Sequence, residues 1–273
     1  MLKQRLLTAL VMIAGAAYAV LALETRWLAW ILGVIAVLGG YEWARLMTIA
    51  SPLARVGYAA VIAAALGLCW MQLFHSAALP TFMALSCLWW LLALAWLTRP
   101  QLGAGHKFAA LLLKAVAGLL TLVPAWLTLM VLHAQPSHGS HRLLFLLSLI
   151  WVADSAAYFS GKRWGRAKLA PHISPGKTRA GVYGALVAVA VYALLAADFL
   201  GVGAASRATF ILLCVVTALF SVVGDLFESL FKRQSGMKDS GTLIPGHGGV
   251  LDRIDSLTAA APIFVFGLYW LKL

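Results

Sequence analysis

Nine separate runs of apolar residues constrain this chain more than anything else in it, because each is close to the ~20 residues needed to cross ~30 Å of hydrocarbon as a helix. They fall at about 6–23, 27–47, 56–74, 77–97, 108–133, 142–160, 181–200, 207–231 and 256–272. Hydrophobic residues make up 63% of the 273 positions and charged ones 11%, where a soluble domain is nearer half and a quarter. The expectation is an all-α polytopic integral membrane protein with about nine transmembrane helices. About five of them lie in an N-terminal region, 1–140. The rest form a C-terminal region, 141–273, with polar loops at 161–180 and 232–255. Lys3 and Arg5 ahead of an apolar run, with Ala17-Tyr18-Ala19 after it, mimic a secretion signal. The many later spans favour an uncleaved first helix instead.

A net charge of +12 would point a soluble chain towards nucleic acid. Here its distribution gives another reason. With the N-terminus in the cytoplasm, sixteen Lys and Arg residues fall inside, four (Arg26, Arg142, Arg207, Lys272) outside, and Lys114 within a span. That asymmetry is the positive-inside rule. It puts both polar loops in the cytoplasm and excludes a nucleic-acid partner as the explanation.

The polar chemistry is concentrated in the last third. Asp225, Glu228, Ser229 and Lys232 recur at i, i+3, i+4 and i+7, so they share one helical face. They could pair internally, as Asp225–Ser229 and Glu228–Lys232, or face Asp252 across the following loop. Ionisable groups within an apolar run are functional candidates by default. The loop adds the cations Lys232, Arg233, Lys238 and Arg253 and the carboxylates Asp239, Asp252 and Asp255. Gly241, Gly246, Gly248 and Gly249 flank His247 and let backbone N–H groups approach a ligand. This mixture suits a polyphosphate with its divalent metal. For Asp255, capping of the last helix competes with a catalytic role. In the other loop, Ser174, Lys177 and Thr178 bracket a Pro-Gly turn and could grip phosphate, while Lys162, Arg163, Arg166 and Lys168 read partly as topogenic charge. Tryptophans near span ends (Trp27, Trp43, Trp96, Trp151, Trp270) read as an interfacial belt. His133, His138 and His141 read as solvated loop residues, and Cys69, Cys87 and Cys214 as buried small hydrophobes.

The stretch Lys232-Arg233, Lys238-Asp239, Gly241, Pro245-Gly246-His247-Gly248-Gly249, Asp252-Arg253 and Asp255 closely resembles the signature of phosphatidate cytidylyltransferases, and its fixed positions span 24 residues. The segment from Asp154 to Thr178 resembles the same family at Asp154, Ala157, Tyr158, Gly161, Lys162, Gly165, Lys168, Leu169, Pro171, Ser174, Pro175, Lys177 and Thr178. Ala180 departs from the pattern, where the family usually has an acidic or amide residue. The N-terminal half matches only in hydropathy and in Glu42-Trp43.

The resemblance implies transfer of CMP from CTP to phosphatidic acid at the cytoplasmic face of a bacterial-type inner membrane, in phospholipid synthesis. It implies Asp225 and Asp252 as the metal-binding pair for Mg²⁺, with a second cation left open. Lys238, Asp239 and Arg253 join them as catalytic candidates. Ser174, Lys177, Thr178, Lys232, Arg233, Gly246, His247, Gly248 and Gly249 are the substrate-binding candidates. The implied partners are CTP, phosphatidic acid and membrane lipids, and the implied assembly is a homodimer. Two other classes fit parts of the pattern. One is a CTP-dependent lipid kinase of the dolichol type, and the other is an ion-coupled transporter.

Overall fold

The computed structural model describes residues 2–72, 74, 76–105, 107–243 and 248–273. Inside hydrocarbon every backbone N–H and C=O must be paired within the protein, which a helix does within one segment. Each apolar run accordingly becomes a helix: α1 Leu2–Ala22, α2 Thr25–Leu46, α3 Pro52–Gln72, α4 Leu79–Leu97, α5 Phe108–His133, α6 Gly139–Trp164, α7 Arg179–Ala196, α8 Arg207–Gln234 and α9 Leu251–Trp270. Among the described residues, seven of these helices, α2 to α8, are long and apolar enough to cross a membrane. Helix α9 carries Asp252, Arg253 and Asp255 in its first two turns, which shortens its apolar part.

Two features depart from the sequence reading. Helix α6 runs on to Trp164, four residues past the expected end of its span at 160 and into the expected loop. The loop itself holds a short antiparallel hairpin, β1 Lys168–Ala170 with β2 Ser174–Thr178, in which Lys168 pairs with Thr178 and Ala170 with Ser174. Strand β2 passes directly into α7, whose N-cap is Thr178, its Oγ1 accepting from Gly181 N at 3.1 Å. Helices α6 and α7 can lie this close because position 184 is glycine, where a Cβ would run into Ser160 Oγ.

One hydrophobic cluster spans the chain from Val20 to Leu268. At its centre, Phe227 and Phe231 of α8 are surrounded edge-on by Trp43, Trp89, Trp90 and Trp96. Trp43 and Trp96 are therefore packing residues and not part of an interfacial belt. Their indole N–H groups donate to Lys114 O at 2.8 Å and Leu102 O at 3.0 Å. Trp27 and Trp270 do stand exposed. His133 is likewise buried and not solvated: it meets Thr25 Oγ1 at 2.8 Å, Val20 O at 2.9 Å and Ser140 Oγ at 3.1 Å, joining α1, α2, α5 and α6.

Candidate active site

Two carboxylate–ammonium pairs organise the polar region. In the first, Lys177 Nζ of β2 lies 2.6 Å from Asp225 Oδ2 of α8. In the second, Lys232 Nζ donates to Asp252 Oδ1 at 2.8 Å and lies 3.4 Å from Glu228 Oε1. The i, i+4 spacing on α8 also brings Ser229 Oγ to Asp225 Oδ1 at 3.3 Å. Both internal pairings open to this helical face are thus formed, and the same face reaches Asp252 through Lys232.

Asp252 is held from several sides. Its Oδ2 accepts from Ser240 N at 2.9 Å and Gly249 N at 2.8 Å, with Ser240 Oγ at 3.0 Å. Asp252 lies ahead of the apolar stretch of α9. Burial alone would raise its pKa, but Lys232 and the Gly249 and Ser240 N–H groups hold it below the ordinary carboxylate value. Gly248, at φ +85°, and Gly249 turn the chain tightly here, and a Cβ on Gly249 would strike Ser240 Oγ and the Glu42 carboxylate. Asp255 is not the cap of α9. The helix begins at Leu251, one turn earlier, and its first N–H groups are covered by another helix: Glu42 of α2 accepts from Val250 N at 3.0 Å and Leu251 N at 2.8 Å.

Asp225 and Lys177 sit in the wall of a cavity of about 400 Å³ between α6, α7, α8 and the hairpin. Asp154, Lys162, Lys168 and Thr178 add polar groups to that wall, and Ala153, Val182, Ala185 and Val222 add apolar ones. Lys162 and Lys168 therefore line the cavity, whereas Arg163 and Arg166 are exposed outside it. The N-terminal turn of α7 also opens here, so the partial positive charge of a helix start adds to the cations.

The other described candidates lie outside the cavity lining, with Arg253 within electrostatic reach of Asp154. Ser174 begins β2 away from the cavity lining. Arg233 Nε donates to Ile173 O at 3.1 Å, tying α8 to the hairpin turn. Lys238, Asp239 and Arg253 are exposed. Gly246 and His247 lie outside the described residues. Glu42 and Asp154 stood in the family resemblance without a catalytic or binding role, and Ser240 was not among the candidates. Asp154 carried a signal, as an ionisable group in an apolar run. Glu42 and Ser240 carried none that relates one to the other.

Residues 3–271 match the family model described as the cytidylyltransferase family. The chain belongs to this family. It is 42% identical over 272 residues to the phosphatidate cytidylyltransferase of Pseudomonas aeruginosa, covering 99% of this chain and 97% of that one. The Haemophilus influenzae protein of that name is 40% identical over 290 residues, with 97% and 98% covered. A Brucella suis protein of that name is 34% identical over 279 residues, with 97% and 93% covered. Because these alignments run nearly end to end, family membership extends to the N-terminal half, whose sequence signal was only hydropathy and Glu42-Trp43.

Proposed function

We infer that this chain transfers the cytidylyl group of CTP to phosphatidic acid, giving CDP-diacylglycerol and pyrophosphate. The observation that carries this reading is the cation-lined cavity set among membrane-length helices, in a member of the cytidylyltransferase family. Phosphatidate already bears its nucleophile. A phosphate oxygen attacks the α-phosphorus of CTP, the bond to the β-phosphate oxygen breaks, and pyrophosphate leaves with that electron pair. No serine or cysteine nucleophile is required. The difficulty is that two anions must meet, and Lys162, Lys168 and Lys177 with the start of α7 answer it by lowering the repulsion. The apolar lining from α6, α7 and α8 suits the lipid's carbon.

Mg²⁺ belongs to the same proposal. The donors are hard carboxylate oxygens, the kind it prefers. Among the described residues Asp225 Oδ1 receives only the Ser229 hydroxyl, and both Glu228 oxygens are buried without a hydrogen-bond donor. Asp225 and Asp252 are the residues assigned to hold the ion, Asp252 if Lys232 yields Oδ1. Once bound, Mg²⁺ would neutralise polyphosphate charge. With CTP, phosphatidic acid and Mg²⁺ in detergent, α-labelled CTP should pass its label to lipid, and γ-labelled CTP should pass its label to pyrophosphate. Lipid labelled from the γ position would instead identify a lipid kinase, and ion flux without CTP turnover a transporter.

Nine spans, a cytoplasmic N-terminus, an inner-membrane location and homodimeric assembly complete the reading, the last resting on family resemblance alone. Charge asymmetry supports the orientation. Ser137, between α5 and α6, and Thr242, between α8 and α9, are exposed. In a background without native cysteines, Ser137→Cys should react with an impermeant thiol reagent in intact cells. Thr242→Cys should react only after the inner membrane is opened. The reverse pattern would invert the topology.

A further inference from the structure

We propose that Glu42 is a positioning residue for this reaction, holding the Ser240–Gly249–Asp252 corner from the N-terminal half of the chain; the inference rests on the cytidylyl-transfer reading above. Glu42 is 1% exposed inside the helix bundle, where a carboxylate is costly unless it is paired or hydrogen-bonded. Its two oxygens take Val250 N at 3.0 Å, Leu251 N at 2.8 Å and Ser240 Oγ at 3.0 Å. Two of these are the otherwise unpaired N–H groups at the start of α9, where a negative charge also meets the positive helix end. The backbone closes around the carboxylate: a Cβ on Gly241 or Gly249 would collide with it. The neighbouring Trp43 locks the register of α2 against Phe227 and Phe231 of α8.

What separates this from an ordinary buried cap is Ser240. Its hydroxyl lies 3.0 Å from Glu42 Oε2 and 3.0 Å from Asp252 Oδ2, yet it has a single hydrogen to donate. The two carboxylates therefore share one donor. If Asp252 held a cation, its demand for that hydrogen would fall and the hydroxyl would be free to turn wholly to Glu42. Glu42 thus sets both the place of Asp252 and the donor it keeps.

The test uses the full-length protein in lipid-supplemented detergent, with kcat and the KM for CTP measured per folded molecule. Glu42→Gln should lower kcat by about ten- to a hundredfold, the scale of a small misplacement at a reacting site, with a much smaller change in KM. Ser240→Ala should lower kcat in the same direction, and the double variant should fall no further than Glu42→Gln alone. Glu24→Gln, an exposed carboxylate just ahead of the same helix, is the control that should match the parent. A folded Glu42→Gln protein with kcat within about twofold of the parent would overturn the inference, as would losses that simply multiply. If Glu42→Gln does not fold, Ser240→Ala decides, and an unchanged kcat overturns it. Asp252→Asn in the same assay keeps the two readings apart. Full activity there removes the site itself, whereas inactivity beside a normal Glu42→Gln removes only the role given to Glu42.

Discussion

Asparagine at position 225 or 252 should lower turnover about a thousandfold, equivalent to ~4 kcal/mol at the transition state, while leaving the fold intact. The substitution keeps the volume and removes one charge. At Asp225 it takes away the anion facing Lys177 Nζ at 2.6 Å in the cavity wall, and with it the proposed ligand to Mg²⁺. At Asp252 the geometry adds a second penalty. Three donors converge on Oδ2, so the amide oxygen must stay there and the new NH₂ must face the Lys232 ammonium. A donor then opposes a donor, and the corner built by Ser240 and Gly249 loosens. The two losses should not add, because the second change strikes a site already disabled. The measurement is turnover against Mg²⁺ concentration for both single variants and the double. A normal rate and a normal Mg²⁺ requirement in Asp252→Asn would remove this aspartate from the site.

The helices were legible because membrane burial demands long apolar runs, and each of the nine runs became one helix. The α8 face was legible for the same local reason: i, i+4 spacing fixes Asp225 beside Ser229 and Glu228 beside Lys232 whatever else happens. The hairpin was not. Strands of three and five residues, one with Pro175, carry no alternating pattern to read. Neither were the long-range pairs. Glu42 meets its partners across about 200 residues of chain, and Lys177 meets Asp225 across the whole of α7, so only the packing of α2 and β2 against α8 and α9 brings them together. The tryptophans misled for a related reason. A residue near a span end is interfacial only if that end faces lipid or water, and at Trp43 and Trp96 it faces Phe227 and Phe231.

Replacing Lys232 with methionine should cost about 3–5 kcal/mol of stability, the usual cost of leaving a buried ion pair with one partner missing. Lys232 Nζ serves Asp252 and Glu228 together, and the three side chains are 11%, 6% and 3% exposed. Glu228 is buried against the Asp255 carboxyl, and the Lys232 ammonium is the positive charge that faces it. Arginine would not substitute well, since its planar fork is bulkier than the compact ammonium that fits between α8 and α9. The fall should be visible as a lowered midpoint of thermal unfolding in detergent. Adding Glu228→Gln and Asp252→Asn to Lys232→Met removes the stranded charges and should recover most of that loss, since uncharged groups of similar volume can replace a buried pair nearly neutrally. Activity should stay lost in the recovered protein, because Asp252 is gone. That separation between regained stability and absent turnover is the decisive outcome. A Lys232→Met protein that unfolds within about 2 °C of the parent would mean that the Glu228 and Asp252 carboxylates are not held by this lysine.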